Sequence, residues 1–216
     1  MVKEKKQGAL IVISGPSGAG KDTIVNEVVK EINAKVSVSM TTREKRKGEE
    51  EGKDYFFVTK EHFLEQIDKG NLLEFANVHG DNYYGTPKDE VEKNLKNGID
   101  VILVIDIQGA LKVKAQTDEA IFIFIMPPSM RELKNRLINR GTETKEQLIQ
   151  RFKDAYQEIN EVTKYNYVVI NDNLNDAVKK VEAIIMAEKC RVDRIEDFDL
   201  NSEEELMHEL LTDKIQ

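Results

Sequence analysis

Apolar residues recur along the chain in two patterns, as short uninterrupted runs and as runs spaced by three or four residues. The uninterrupted runs predict strands at 9–12, 101–106, 120–125 and 167–170. Two of them, 101–105 and 120–125, are apolar at every position, which is typical of parallel strands covered on both faces. Spaced runs alternate with them, beginning with the helix that carries Ile24, so we expect an α/β fold with a parallel core sheet.

The other predicted elements are shorter or less regular. Further strands are predicted at 35–39, 55–58 and 72–75. Further helices are predicted at 60–69, 87–97, 129–138, 145–163 and 174–189, and a short acidic one near 203–211. Residues 41–54 are charged and carry two glycines, which predicts an exposed excursion from the core.

The residues after the first strand carry the most informative motif of the chain. The spacing Gly15-x-x-x-x-Gly20-Lys21 before an apolar-faced helix predicts a phosphate-binding loop. There, backbone N–H groups and the positive helix end meet an anion, and Lys21 adds a full charge. A tight strand-to-helix turn with an ordinary surface lysine is the alternative, which the three glycines disfavour. We therefore expect a nucleoside polyphosphate at these positions: Gly15, Ser17, Gly18, Ala19, Gly20, Lys21, Asp22 and Thr23.

Composition and charge narrow the class of protein. Of the net charge of −8, residues 191–216 hold three basic and nine acidic residues, which leaves −2 for the other 190 residues. A nearly neutral body has no field for nonspecific nucleic-acid binding, so we expect no nucleic-acid partner. No run approaches the ~18 apolar residues of a membrane span, and no secretory signal is recognisable. With Cys190 as the only cysteine, we expect a cytoplasmic protein.

Arginine, tyrosine and hydroxyl side chains gather in three segments, 39–46, 52–55 and 82–86. One arginine side chain binds two phosphate oxygens at once, and hydroxyl groups add neutral donors. The mixture therefore suits a phosphate monoester. Five short motifs follow in order: Ser-x-Thr-Thr-Arg-x-x-Arg, Gly-Lys-Asp-Tyr, Tyr-Tyr-Gly-Thr, Ile-Asp-x-Gln-Gly and Arg-Gly-Thr-Glu. Together with the phosphate loop, they make residues 8–189 closely resemble the guanylate kinase family.

The resemblance implies an enzyme that uses ATP and Mg²⁺ to phosphorylate GMP, and dGMP, to the diphosphate. It also implies a P-loop NTPase three-layer fold with a nucleotide-binding insertion and a helical lid. The phosphate of GMP is then held by Arg43, Arg46, Tyr55 and Tyr84. The guanine is surrounded by Ser39, Glu74, Thr86 and Asp106.

Glu74 makes physical sense as a reader of guanine. A carboxylate accepts from both the N1–H and the exocyclic amino group of guanine, whereas adenine offers no donor there and leaves the acid unpaired. The alternative is a solvated acid on an edge strand, which the apolar neighbours Leu73 and Phe75 disfavour.

A third cluster consists of Arg136, Arg140 and Arg151. The spacing of the first two places both guanidinium groups on one helical face. The resemblance implies a mobile lid whose arginines, together with Lys21 and Arg43, act on the transferred phosphoryl group. A surface helix with ion pairs to Glu132 or Glu143 is the alternative. Asn171 matches a position near the adenine of ATP.

Two positions depart from the family pattern. After the loop lysine the family has Gly or Ser, and this chain has Asp22; two residues before Asp106 the family has an acid, and this chain has Val104. Our hypothesis is that Asp22 supplies the magnesium-side carboxylate that Val104 lacks, with Thr23 as the hydroxyl ligand. Alternatively, Asp22 is simply a favourable acid in the first helical turn.

Two other functions remain open at this point. A kinase of ribose 1,5-bisphosphate resembles guanylate kinases and carries Gly-Lys-Asp, but it has no use for a guanine-reading Glu74. A noncatalytic guanylate-kinase-like binding module usually lacks the loop lysine and the arginines present here.

We expect four regions and a monomer or homodimer. A P-loop core comprises 1–36, 87–129 and 164–190, a GMP-binding insertion spans 37–86, the lid spans 130–163, and an acidic tail covers 191–216.

Overall fold

The structure, a computed structural model, describes residues 3–4, 7–78, 82–139, 145–197, 207–208 and 210–212. The strands are β1 (Lys3–Glu4), β2 (Leu10–Ser14), β3 (Ala34–Val36), β4 (Ser39–Thr41), β5 (Tyr55–Phe57), β6 (Leu72–Val78), β7 (Asn82–Pro87), β8 (Asp100–Val104), β9 (Ile121–Met126), β10 (Tyr167–Ile170) and β11 (Ile195–Asp197). The helices are α1 (Lys21–Glu31), α2 (Lys60–Asp68), α3 (Lys88–Lys96), α4 (Ile107–Lys114), α5 (Met130–Asn139), α6 (Lys145–Asn160) and α7 (Leu174–Lys189). Short 3₁₀ turns follow α6 at Glu161–Lys164 and α7 at Val192–Arg194.

The core is a five-stranded parallel sheet in the order β10-β9-β2-β8-β3. Alternate side chains of each strand enter different hydrophobic layers, because successive residues of a strand point to opposite faces. In β2, Ile11 and Ile13 pack with α1 and α7, whereas Val12 packs with α3 and α4. Both faces of the sheet are therefore covered, and the predicted three-layer α/β architecture is confirmed.

A second sheet, in the order β5-β4-β7-β6, is built from the segment between β3 and α3. Its strands β4 and β5 are parallel, while β7 is antiparallel to both β4 and β6. Phe63 of α2 is fully buried and tilts against the Tyr83 ring with 5.5 Å between centroids. The register of β6 and β7 pairs Glu74 with Thr86 and so brings these two polar residues together.

Several sequence-based boundaries need correction. The single strand predicted at 35–39 is two strands in different sheets: Ser37 N–H donates to the Ile102 carbonyl at the end of the core sheet, and Ser39 then pairs with Tyr55. Helix α4 and strands β1, β7 and β11 were not predicted. Pro87 precedes α3 as its N-cap rather than occupying the first helical turn.

The predicted acidic helix near 203–211 is helical at 207–208 and 210–212, and the rest of it lies outside the described residues. Strand β1, near the start of the chain, pairs antiparallel with β11, which follows α7. Among the helices that the structure describes, none is long and apolar enough to cross a membrane.

A buried carboxylate joins the start of the core sheet to the end of α7. Asp100 is 2% exposed, its Oδ1 accepts from the Ala9 N–H at 2.8 Å, and its Oδ2 lies 2.5 Å from Lys189 Nζ. The Lys189 ammonium group and the backbone N–H just before β2 thus both have this side chain as a partner.

We expect Asp100→Ala to lower the free energy of unfolding by about 2–4 kcal/mol, because it leaves a buried N–H and a lysine without their partner. Asp100→Asn keeps an acceptor for Ala9 and should cost clearly less. Urea unfolding of the three proteins measures both differences. Equal losses in the two variants would contradict the importance of the hydrogen bond.

Candidate active site

The loop between β2 and α1 has the backbone shape of a phosphate cradle. Gly20, the N-cap of α1, has φ +91, a conformation that side chains rarely adopt, and a Cβ there would lie 2.4 Å from the Asn171 side-chain nitrogen. The Ala19 N–H donates to Pro16 O at 3.1 Å, and the Asn171 Nδ2 donates to Ala19 O at 2.8 Å. Asn171 is buried, so this amide fixes the loop from below, in addition to its predicted place near adenine.

Lys21 begins α1, directly after the loop. Its ammonium group donates to the carbonyls of Gly15, at 2.5 Å, and Pro16, at 3.2 Å. The loop therefore presents the positive end of α1 and a lysine charge side by side, the combination that binds phosphate groups.

A cleft of about 240 Å³ connects this loop to the second sheet. It brings together eleven predicted site residues from the second sheet, α1, α6 and the connecting segments, and three residues that were not predicted as site residues. The predicted residues are Gly15, Ser17, Lys21, Asp22, Ser39, Arg46, Tyr55, Glu74, Tyr84, Asp106 and Arg151. The others are Val104, Ile105 and Glu158.

Arg43 lies beside the cleft in a rigid setting. Its two terminal nitrogens donate to the Glu49 carboxylate at 2.7 and 2.8 Å, and its Nε donates to the Tyr84 hydroxyl at 3.1 Å. The guanidinium carbon also lies 5.1 Å from the centre of the Tyr55 ring. The Glu49 hydrogen bond is the main reason that the pKa of Arg43 is raised, so this cation is charged at every relevant pH.

Glu74 of β6 is a buried residue that lines the cleft. It is 5% exposed, and its Oε1 accepts from the Thr86 hydroxyl at 2.7 Å. Burial raises its pKa to about 7, and nearby Asp106 adds to the shift. Although β6 is an edge strand, α4 covers it, so the alternative of a solvated acid is wrong.

Asp106 caps α4, since its side chain accepts from the Gly109 N–H at 2.9 Å. The carboxylates of Asp106 and Glu74 consequently lie at the N-terminal end of the same helix. This end of the cleft presents two carboxylates, and the phosphate-loop end presents Lys21 and Arg151, which matches a ligand with donors at one end and an anion at the other.

Two of the three arginines predicted for the lid lie within the described residues, and they make different contacts. Arg151 reaches from α6 to the loop, with NH1 3.4 Å from the Ser17 hydroxyl. Arg136 donates to Glu132 Oε1 at 3.0 Å and to the Asn171 carbonyl at 3.0 Å, so the alternative ion pair on α5 is present together with a contact to the core. Arg140 lies outside the described residues.

The two residues predicted on the magnesium side are exposed. Asp22 lines the cleft with Val104, whereas Thr23 is not among its lining residues. In the part of the chain that the structure describes, no three His, Cys, Asp or Glu side chains are grouped to hold a metal. A divalent cation here would need oxygen ligands from a bound nucleotide, which is the usual arrangement for Mg²⁺.

Comparison with known proteins agrees with this geometry. The family description "Guanylate kinase" matches residues 7–188. A guanylate kinase of Clostridium tetani is 59% identical over 96% of this chain and all of its own, and one of Caldanaerobacter subterraneus is 59% identical over 93% and 98%. The chain belongs to the guanylate kinase family. The crystal structure of guanylate kinase from Anaplasma phagocytophilum superposes with a TM-score of 0.77, at 36% identity, over 95% of this chain and 97% of that one.

Within this guanylate kinase fold, two acids were missed by sequence reasoning. Glu49 orients Arg43 and also accepts from the Arg46 N–H at 2.7 Å, but it looked like one more charge in the excursion 41–54. Glu158 of α6 lines the cleft, and burial raises its pKa to about 7 in spite of the opposing charge of Lys21. Its signal was present, because it lies seven residues after Arg151 and hence on the same helical face.

The buried Glu74 of this guanylate kinase should make stability depend on pH. Because its native pKa is raised, the folded chain binds this proton more tightly than the unfolded chain, and stability falls as pH rises from 4.5 through 7. Glu74→Gln avoids the cost of ionisation. The free energy of unfolding of this variant, minus that of the wild type, should therefore increase by up to about 3 kcal/mol from pH 5 to pH 8. Urea unfolding at both pH values measures this gain.

Glu61→Gln, on the exposed face of α2, is the matched control and should show a difference from wild type that is the same at both pH values. A Glu74→Gln difference that is equally flat would contradict the burial of an ionisable Glu74.

Proposed function

We propose that this protein transfers the γ-phosphoryl group of ATP to GMP or dGMP, giving ADP and the guanosine diphosphate. The observation that carries the proposal is the buried Glu74–Thr86 pair, placed in one cleft with the phosphate loop. A carboxylate held in place by a hydroxyl group accepts from the two donors on the edge of guanine. The named relatives support the same activity, since they are guanylate kinases over nearly their whole length.

The reaction needs alignment and charge neutralisation more than covalent chemistry. An oxygen of the GMP phosphate attacks the γ-phosphorus of ATP, the new P–O bond forms, and the bond to the β–γ bridging oxygen breaks to release ADP. The GMP phosphate is already a nucleophile near neutral pH. We therefore assign no side chain as an essential base.

The basic residues divide between the two substrates. We assign the GMP phosphate to Arg43, Arg46, Tyr55 and Tyr84, and the guanine to Ser39, Glu74, Thr86 and Asp106. Lys21 follows the charge from donor to acceptor by exchanging the Gly15 and Pro16 carbonyls for phosphate oxygens. Arg136, Arg140 and Arg151 close over the triphosphate and exclude water, which strengthens every charge interaction in the site.

The residues present fit Mg²⁺ bound mainly through the nucleotide. When bound, the ion would supply charge neutralisation for the triphosphate. Asp22 and Thr23 would hold it at the start of α1, and Asn171 would contact the adenine side. The exposure of Asp22 on the cleft, beside the apolar Val104, supports the hypothesis that the two departures compensate.

The two other functions have less support. A ribose 1,5-bisphosphate kinase gives no role to a buried acid paired with Thr86. A noncatalytic module gives no role to Lys21 and Arg151 converging on the phosphate loop. We further propose a cytoplasmic monomer or homodimer without a nucleic-acid partner, in line with the nearly neutral body and the single cysteine.

Acceptor choice is the decisive test. With ATP and Mg²⁺ in an assay coupled to ADP release, we expect turnover with GMP and dGMP, and none with AMP, UMP or ribose 1,5-bisphosphate. Glu74→Ala should lower kcat/KM for GMP by roughly 100-fold or more, because the donors of guanine lose a charged acceptor. Turnover with only the ribose bisphosphate would support the second kinase, and no turnover with any acceptor would support the binding module.

Magnesium dependence tests the role of Asp22. We expect Asp22→Gly to raise the Mg²⁺ concentration needed for half-maximal rate several-fold. Manganese binding in the presence of ATP, followed by electron paramagnetic resonance, should weaken in parallel. The control is Asp68→Gly at the end of α2, which should change neither. If the rate of Asp22→Gly depends on Mg²⁺ concentration as that of the wild type does, the hypothesis that Asp22 compensates for Val104 is wrong.

A further inference from the structure

Gly109 is the third residue of α4, and it has no conformational reason to be glycine. Its φ is not positive, whereas seven other glycines of the described chain have a positive φ. Inside a helix, alanine is favoured over glycine by about 1 kcal/mol. Some other requirement must account for a glycine at this buried position.

The space beside Gly109 is taken by Glu74. A Cβ added to Gly109 would lie 2.5 Å from Glu74 Oε2 and 3.1 Å from the carboxyl carbon, with the next neighbour, Ile105 Cδ1, at 3.4 Å. No real Cβ makes a contact of 2.5 Å, so the carboxylate and a side chain at 109 exclude each other. The other oxygen of the same carboxylate is the one that Thr86 holds.

Hydrogen bonds tie the backbone of β6 to the α4 side at this contact. The carbonyls on either side of Glu74 are both bound from the α4 side: Lys112 donates to Phe75 O, and Gln116 donates to Leu73 O at 3.0 Å. Strand and helix are therefore fastened together around residue 74. The flexible end of the Glu74 side chain is the part that yields most easily.

We propose that Gly109 is a positioning residue, whose missing side chain leaves the space in which the Glu74 carboxylate stands and thereby sets the preference for guanine. This inference rests on the proposed function, since it concerns how that function selects its acceptor. Gly109 also donates its N–H to Asp106, but alanine keeps that N–H. Gly109→Ala thus displaces one carboxylate of the pair and leaves the cap of the other in place.

The test is a double-mutant cycle with Gly109→Ala, Glu74→Ala and the combination of both. Gly109→Ala should fold with an unchanged or higher Tm, because helix propensity rises and a side-chain tip absorbs the clash. Its KM for GMP and its calorimetric Kd for GMP should rise about 10- to 100-fold, as for a lost hydrogen bond to a charged group, with KM for ATP unchanged. In the Glu74→Ala background, adding Gly109→Ala should change the GMP constants by less than about 2-fold.

Gly70→Ala is the control for the GMP constants alone: it lies in the turn after α2, and its added methyl group meets no atom within 4 Å. Because its φ is +67, alanine is strained there, and its Tm is expected to fall. It should leave KM and Kd for GMP unchanged. Wild-type GMP binding in Gly109→Ala would overturn the inference while leaving the proposed function intact, as would equal losses with and without Glu74. If the wild type itself does not bind GMP, the proposed function and this inference both fall.

Discussion

Parallel pairing of the core strands is the constraint on which the site depends. Because β2, β8, β9 and β10 run in one direction, their carboxyl ends meet at one edge of the sheet. Three features each follow one of these ends: the phosphate loop, Asp106 and Asn171. They converge at this edge although they are far apart in the sequence. The second sheet and α6 then only have to reach this edge to complete the cleft.

The cleft is held ready by hydrogen bonds within the protein. Glu49 fixes Arg43, Thr86 fixes Glu74, and backbone carbonyls hold Lys21. Groups fixed in advance need little reorganisation when charge moves, which is how a site stabilises a transition state better than water does. Acids also lie among the cations: Glu49 pairs with Arg43, and the charge of Lys21 acts on Glu158.

Sequence reasoning succeeded where the signal is local and strong. Continuous apolar strands in the core and the glycine-lysine spacing at the phosphate loop both follow from short stretches of chain, and α7 and β10 were predicted to the residue. It failed at β3 and β4, where one β-rich run divides between two sheets because its pairing partners, Ile102 and Tyr55, are distant in the chain. It also missed Glu49 and Glu158, since only the fold shows which of many charged residues face the cleft.

Asn171 has a consequence for communication within the molecule. Its side chain donates to the Ala19 carbonyl, while its own carbonyl accepts from Arg136, so one buried residue links the phosphate loop to α5. If nucleotide binding at the loop shifts α5 through this link, thermodynamic reciprocity requires that restraining α5 in its shifted position tighten nucleotide binding by the same factor. Helix α5 and the phosphate loop are then energetic partners.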